Sequence, residues 1–224
     1  MIEAVNKSKA DIVIQGLKSL HCDEIMGAES FTDEIYDVGS LSEETFDKIF
    51  YFCGPYCKLF RSTNIKDNDI KFPVDMAYGE DAVFYFEYLS KCRVLELISN
   101  KSYNYTVSNQ NALSTKTLKP DKFWQNQHNR RGAYKQLKKD FGLPATISAT
   151  ERFCKMAGVG GMLHSVFKHK VNDAEVASYL DLMKNDSEFG FSELMPKALK
   201  QRLIVFLIRN NSWLSRLALR KMYS

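Results

Sequence analysis

At 224 residues and 45% hydrophobic composition, the chain marks a globular protein of one domain, or of one domain with a helical extension. Its formal net charge of +4 and pI near 8.7 are too mild for the overall balance to argue for nucleic acid or any other polyanion. Five cysteines, Cys22, Cys53, Cys57, Cys92 and Cys154, stand at irregular spacings, and the close pair Cys53 and Cys57 has no second pair to complete a zinc site. Reduced thiols in a cytosolic compartment are therefore expected. The N-terminus shows no basic region followed by an apolar run, and no segment reaches about 18 uninterrupted apolar residues, so neither secretion nor a membrane span is expected.

Ile2 and Val5 at helical spacing, followed by Ala10-Asp11-Ile12-Val13-Ile14-Gln15-Gly16-Leu17, predict a helix feeding a buried strand of an α/β unit. From Leu20 to Val38 short apolar stretches mix with Asp, Glu, Gly and Ser, which predicts a loop-rich stretch with one edge strand. Ser40 with Glu43 fits a capping box opening a helix that buries Phe46, Ile49 and Phe50. After the break at Gly54-Pro55 comes Tyr56-Cys57-Lys58-Leu59-Phe60. Asp75 to Gly79 then leads into an apolar helix, Glu80 to Leu89, with two acids in its first turn. Arg93–Ile98 and Ser102–Val107 alternate as two strands separated by the turn residues Ser99-Asn100-Lys101. Beyond Pro120 the pattern is helical: Phe123–Phe141 stopped by Gly142 and Pro144, a helix capped by Ser148 with Glu151, a third opened by Asn172 with Glu175, then Met195–Arg209 and Trp213–Tyr223. Gly158-Val159-Gly160-Gly161 falls inside a helical pattern, which favours close helix packing or a kink over a phosphate loop.

The order Gly54-Pro55-Tyr56-Cys57-Lys58-Leu59-Phe60-Arg61, Phe72-Pro73, Gly79-Glu80-Asp81 with its aromatic helix, and Tyr103-Asn104-Tyr105 resembles the family-2 glycosyltransferases of GT-A fold. The resemblance covers roughly Met1 to Ser114. It implies an incomplete GT-A-type mixed sheet with flanking helices over residues 1–118, the acceptor side of that domain, followed by an all-helical C-terminal region over 119–224. Ala10-Asp11-Ile12-Val13 looks like the segment just beyond the family's metal-binding Asp-x-Asp, so the nucleotide-binding half is expected to be missing.

The chemistry implied is inverting sugar transfer from a nucleotide-sugar to a glycan or lipid-linked acceptor. Asp81 matches the family's catalytic base, in a first helical turn whose dipole favours the ionised carboxylate. Glu80 is expected to orient the site. Lys58 contacts substrate or simply packs, and Tyr103 is a cleft-wall or core residue or stacks on a sugar. A divalent cation, Mg or Mn, is implied by the resemblance alone, with no ligand in this chain. Asp67-Asn68-Asp69 reads as a turn.

From Leu194 to Ser224 there is no acidic residue, while Lys197, Lys200, Arg202, Arg209, Arg216, Arg220 and Lys221 alternate with apolar ones. An anionic membrane surface is one expected partner of this segment, placing the protein in the cytoplasm at the inner face of the plasma membrane; a merely solvated basic face is the other reading. No nucleic-acid reader motif accompanies the charge. The competing functional reading is a non-catalytic module that binds a partner or a membrane surface. A strand at Ile12 left as a bare apolar edge would favour it, and a covered central strand would not.

Overall fold

A computed structural model of the protein describes all residues except 22–23, 52–53, 77, 107–116, 145–147, 188, 192–193, 195 and 224. Helix α1 (Ile2–Ser8) ends on Lys9 in the left-handed region and turns the chain into β1 (Ile12–His21). Ile12, Val13 and Ile14 are fully buried, as a non-alternating apolar run requires.

Strand β1 is the centre of a five-stranded mixed sheet. Along one edge runs β5 (Val94–Thr106), parallel to it. Two antiparallel strands share the other edge: β4 (Lys58–Phe60) pairs with residues 12–14, and β2 (Glu24–Glu29) pairs with residues 17–21. Strand β3 (Glu34–Asp37) lies antiparallel on the far side of β5. Both edges of β1 are thus covered by the chain's own strands, and no apolar edge is bared there.

Two expectations about the strands are corrected. The stretch 20–38 holds two strands, not loops with one. The side chains of β3 carry little signal, since it is mostly exposed and Ile35 stands 59% in solvent, so backbone pairing rather than burial holds it. The stretch 94–106 is one strand, not two. Its register jumps from Gln15 opposite Ile98 to Leu17 opposite Tyr103, so the turn-like residues 99–102 form a bulge beside Gly16. Within that bulge the Ser102 N–H donates to Asn100 Oδ1 (2.7 Å) and the Ser99 N–H to Asp33 Oδ1 (2.5 Å).

Helix α2 (Glu43–Tyr51) buries Phe46, Ile49 and Phe50 as expected. Its cap is Ser42, whose Oγ accepts the Thr45 N–H at 3.1 Å, and not Ser40. Ser40 belongs to a short 3-10 turn, Val38–Ser40, which Asp37 caps. Helices α3 (Ser62–Asp67), α4 (Glu80–Leu89), α5 (Pro120–Asp140), α6 (Ala149–Lys168), α7 (Asp173–Asn185), α8 (Leu199–Asn210) and α9 (Trp213–Tyr223) complete the described elements.

The chain forms two compact units, residues 1–76, 80–115 and 133–144 in one and 77–79, 116–132 and 145–224 in the other. The first is organised on the sheet, with an aromatic core in which Phe50 meets Tyr134 (3.9 Å between centroids) and Phe86 (5.3 Å). The second is helical, with Val159, Met162 and Val166 of α6 packed among Val176, Leu180, Ile208 and Leu219. Gly161 permits this packing: a Cβ there would come within 2.5 Å of the Phe123 ring. The glycine run is therefore a close-approach surface inside α6.

Candidate active site

Gly79, with φ +81°, turns the chain sharply into α4, a conformation that favours glycine. Glu80 and Asp81 follow in the first turn, both partly exposed. Asp81 Oδ1 accepts the N–H of Ala82 at 2.7 Å, so one of the helix's unpaired amides already points at the carboxylate. Solvent reaches the side chain, which leaves room for a reacting group.

The rest of α4 is anchored to its own unit. Phe84 stacks flat on Phe72 with centroids 4.2 Å apart and meets Phe60 edge-on. The Tyr88 hydroxyl donates to the Asp11 carbonyl at 2.6 Å and the Tyr85 hydroxyl to the Ile49 carbonyl at 3.4 Å. These contacts hold the first turn of the helix at a set place beside the sheet, and burial pushes the Tyr88 hydroxyl well above the ordinary tyrosine range.

Lys58 and Tyr103 come into one cluster. Lys58 Nζ donates to the carbonyls of Gly54 (2.5 Å) and Tyr56 (3.4 Å), and its ammonium lies 4.6 Å from the centre of the Tyr85 ring. Tyr85 stands one helical turn after Asp81 on α4. Tyr56 stacks on Tyr103 (5.9 Å, 17° between planes) and packs against Tyr105 (5.1 Å). Tyr103 and Tyr105 are each more than one third exposed. Together Tyr56, Tyr103, Tyr105 and Lys58 make a wall with an aromatic surface and a cation.

Tyr56 was not singled out by the sequence, and nothing periodic marks it, because it sits in the turn after Gly54-Pro55. Tyr105 had the signal of strand alternation with Tyr103. The neighbouring Cys57 has φ +60° and is buried, and this burial pushes its thiol up to about 11 against the opposing charge of Lys58.

The described residues do not fit a divalent cation. No group of three His, Cys, Asp or Glu among them is placed to hold one. Asp11 is committed to structure: its carboxylate accepts the N–H groups of Arg93 (2.8 Å) and Val94 (3.1 Å) and pairs with Arg61 at 3.2 Å. Asp69, with φ +50°, forms a turn and pairs with Lys71.

The second unit has an open cleft of about 620 Å³ lined by Trp124, His128, Asp181 and Asp186 among others. Asp186 accepts the Trp124 indole N–H (2.9 Å) and the Phe189 N–H (2.9 Å) and lies 3.2 Å from His128 Nδ1. Its carboxylate serves to tie α5 to the end of α7.

No protein-family model matches the chain. Among curated proteins, the poly(ribitol-phosphate) beta-N-acetylglucosaminyltransferase TarS of Staphylococcus aureus (strain MW2) is 29% identical over 79 residues, covering 35% of this chain and 14% of TarS. Among solved structures, S. aureus TarS 1-349 in complex with UDP-GlcNAc aligns over 99% of this chain and 62% of its own, with a TM-score of 0.56 and 16% identity. The complex of the same protein with UDP aligns over 99% and 60%, with a TM-score of 0.53 and 15% identity. This is a TarS-like glycosyltransferase fold. At such identity the likeness is one of architecture, and the chain spans about three fifths of those solved chains.

Proposed function

We propose that these residues form the acceptor side of a glycosyltransferase, with Asp81 as the base of an inverting transfer from a nucleotide-sugar. The observation that carries the reading is the partly exposed Asp81 carboxylate in the first turn of α4, set there by Gly79 within a TarS-like fold. Asp81 takes the proton of an acceptor hydroxyl as that oxygen attacks the anomeric carbon. The anomeric carbon–oxygen bond to the diphosphate breaks on the opposite face, and its electron pair leaves with the nucleotide. Glu80 orients the acceptor or the site beside it. Tyr103, with Tyr56 and Tyr105, offers aromatic faces to a sugar or polyol, and Lys58 a positive charge to an anionic acceptor. The donor is assigned no residue in this chain.

The test is release of UDP from UDP-GlcNAc in the presence of a poly(ribitol-phosphate) acceptor, the pair named for TarS. Asp81→Asn is expected to lower kcat by roughly 10³-fold, the range of a lost general base, with the melting temperature unchanged. Transfer by Asp81→Asn within threefold of the parent would overturn the assignment. No turnover by the parent with any nucleotide-sugar would favour the non-catalytic, partner-binding reading.

A further inference from the structure

Helices α8 and α9 lie in the second unit and bury one face each. Ile204, Val205, Leu207 and Ile208 of α8 and Leu219 of α9 belong to its core. That face satisfies the usual amphipathic pattern. A second apolar set remains outside: Leu199, Leu203 and Phe206 on α8 and Trp213, Leu214 and Leu217 on α9 are between 48% and 80% exposed.

Leu199, Leu203 and Phe206 are spaced i, i+4, i+7 and form one stripe along α8. Lys200, Arg202 and Arg209, all exposed, flank it. Arg202 and Arg209 also border a groove of about 350 Å³ whose floor is Leu194, Pro196 and Val205, with Phe206 at its side. On α9, Arg220 and Lys221 follow the exposed apolar residues by one turn. Neither helix contains a carboxylate. Arg216 is tied to Asp173 at 2.6 and 2.9 Å, and the exposed Arg220 donates to the Val171 carbonyl at 3.5 Å.

We infer that α8 and α9 bind the surface of an anionic phospholipid bilayer, lying in its plane. The choice follows from the pattern of side chains. Protein interfaces are depleted in lysine, whereas here the exposed Lys200 and Lys221 join the arginines beside the apolar residues, with no carboxylate on either helix. A bilayer surface meets both at once, with lipid phosphates for the guanidinium groups and acyl chains for Leu and Phe. Trp213 is the residue type enriched at that boundary. Helices of 12 and 11 residues are too short to cross, and no described helix is long and apolar enough to do so.

The experiment is co-sedimentation of the 224-residue protein with extruded vesicles of phosphatidylcholine and phosphatidylglycerol, about 3:1, against phosphatidylcholine alone. Binding to the anionic vesicles is expected to be at least about tenfold stronger and to fall with added salt. Arg202→Gln with Arg209→Gln should weaken it roughly 30-fold, about fivefold per cation. Leu199→Gln with Phe206→Gln should weaken it at least about tenfold at unchanged charge, and Trp213 fluorescence should shift to the blue on binding. Trp213→Gln with Leu217→Gln gives an independent second pair, and a melting curve checks that each variant is folded. Equal partition into both vesicle types, or binding indifferent to these pairs, overturns the proposal. So does a dimer that ignores vesicles and dissociates on Leu199→Gln with Phe206→Gln, which would assign the face to a second copy. The inference is independent of the transfer chemistry, so Asp81→Asn should bind vesicles as the parent does.

Discussion

Cys57 and Lys58 are adjacent, yet their surroundings give them opposite freedoms. The Cys57 thiol is buried on a left-handed residue, and desolvation raises its pKa to about 11 despite the neighbouring cation. A raised thiol pKa means less thiolate at a given pH. At pH 8 native Cys57 should react with iodoacetamide about 100-fold more slowly than the same cysteine in the unfolded chain, read by mass spectrometry of the labelled peptide. Lys58 extends to carbonyls of its own loop, so Lys58→Met is expected to cost about 1–2 kcal/mol in denaturant unfolding. If Lys58 also meets an anionic acceptor, the same variant lowers transfer by more than the loss of stability accounts for. Residue type and order made Lys58, Asp81 and Tyr103 visible in the sequence. The commitment of Lys58 to Gly54 and Tyr56, and the stacking of Tyr56 on Tyr103, depend on a turn that no periodicity records.

Helix ends were legible where the cap competes with nothing. Asn172 and Glu175 form a reciprocal capping box, each side chain accepting the other's N–H at 2.9 Å. Asn172→Ala should therefore cost about 1 kcal/mol in the same assay. Ser148 likewise caps α6. At α2 two serines two residues apart offered themselves, and the Asp37 carboxylate drew Val38–Ser40 into a separate turn, leaving the cap to Ser42. Inside α6, Gly161 faces the Phe123 ring, so Gly161→Ala should be net destabilising by about 1–2 kcal/mol although alanine is the better helix former. A gain in melting temperature would show that the ring moves aside without cost.

On the scale of the whole molecule, each unit has its own apolar centre, and the first depends on β1 being covered from both sides. Leu95 of β5 is fully buried opposite Ile12, so Leu95→Ala should cost about 2–5 kcal/mol and speed amide exchange in β1, β4 and β5. The apolar run at Ile12 announced a buried strand, but two different strands share one of its edges, and only their pairing showed the edge to be closed.

By itself the sequence determined the buried strand, the helices other than α3, the caps of α6 and α7, and the ordered motif from Lys58 to Tyr105, because these rest on local periodicity and on residue types at short spacing. The tertiary structure decided the remaining features. Strands β2 and β3 owe their pairing to backbone hydrogen bonds with partners far along the chain. The bulge in β5 follows from its register with β1, and the wall of Tyr56, Tyr103 and Tyr105 from that same register. The second apolar stripe of α8 and α9 is exposed because the core of their unit is filled by their opposite faces. Each of these is a contact between distant segments, and contacts of that kind leave no mark on the pattern of neighbouring residues.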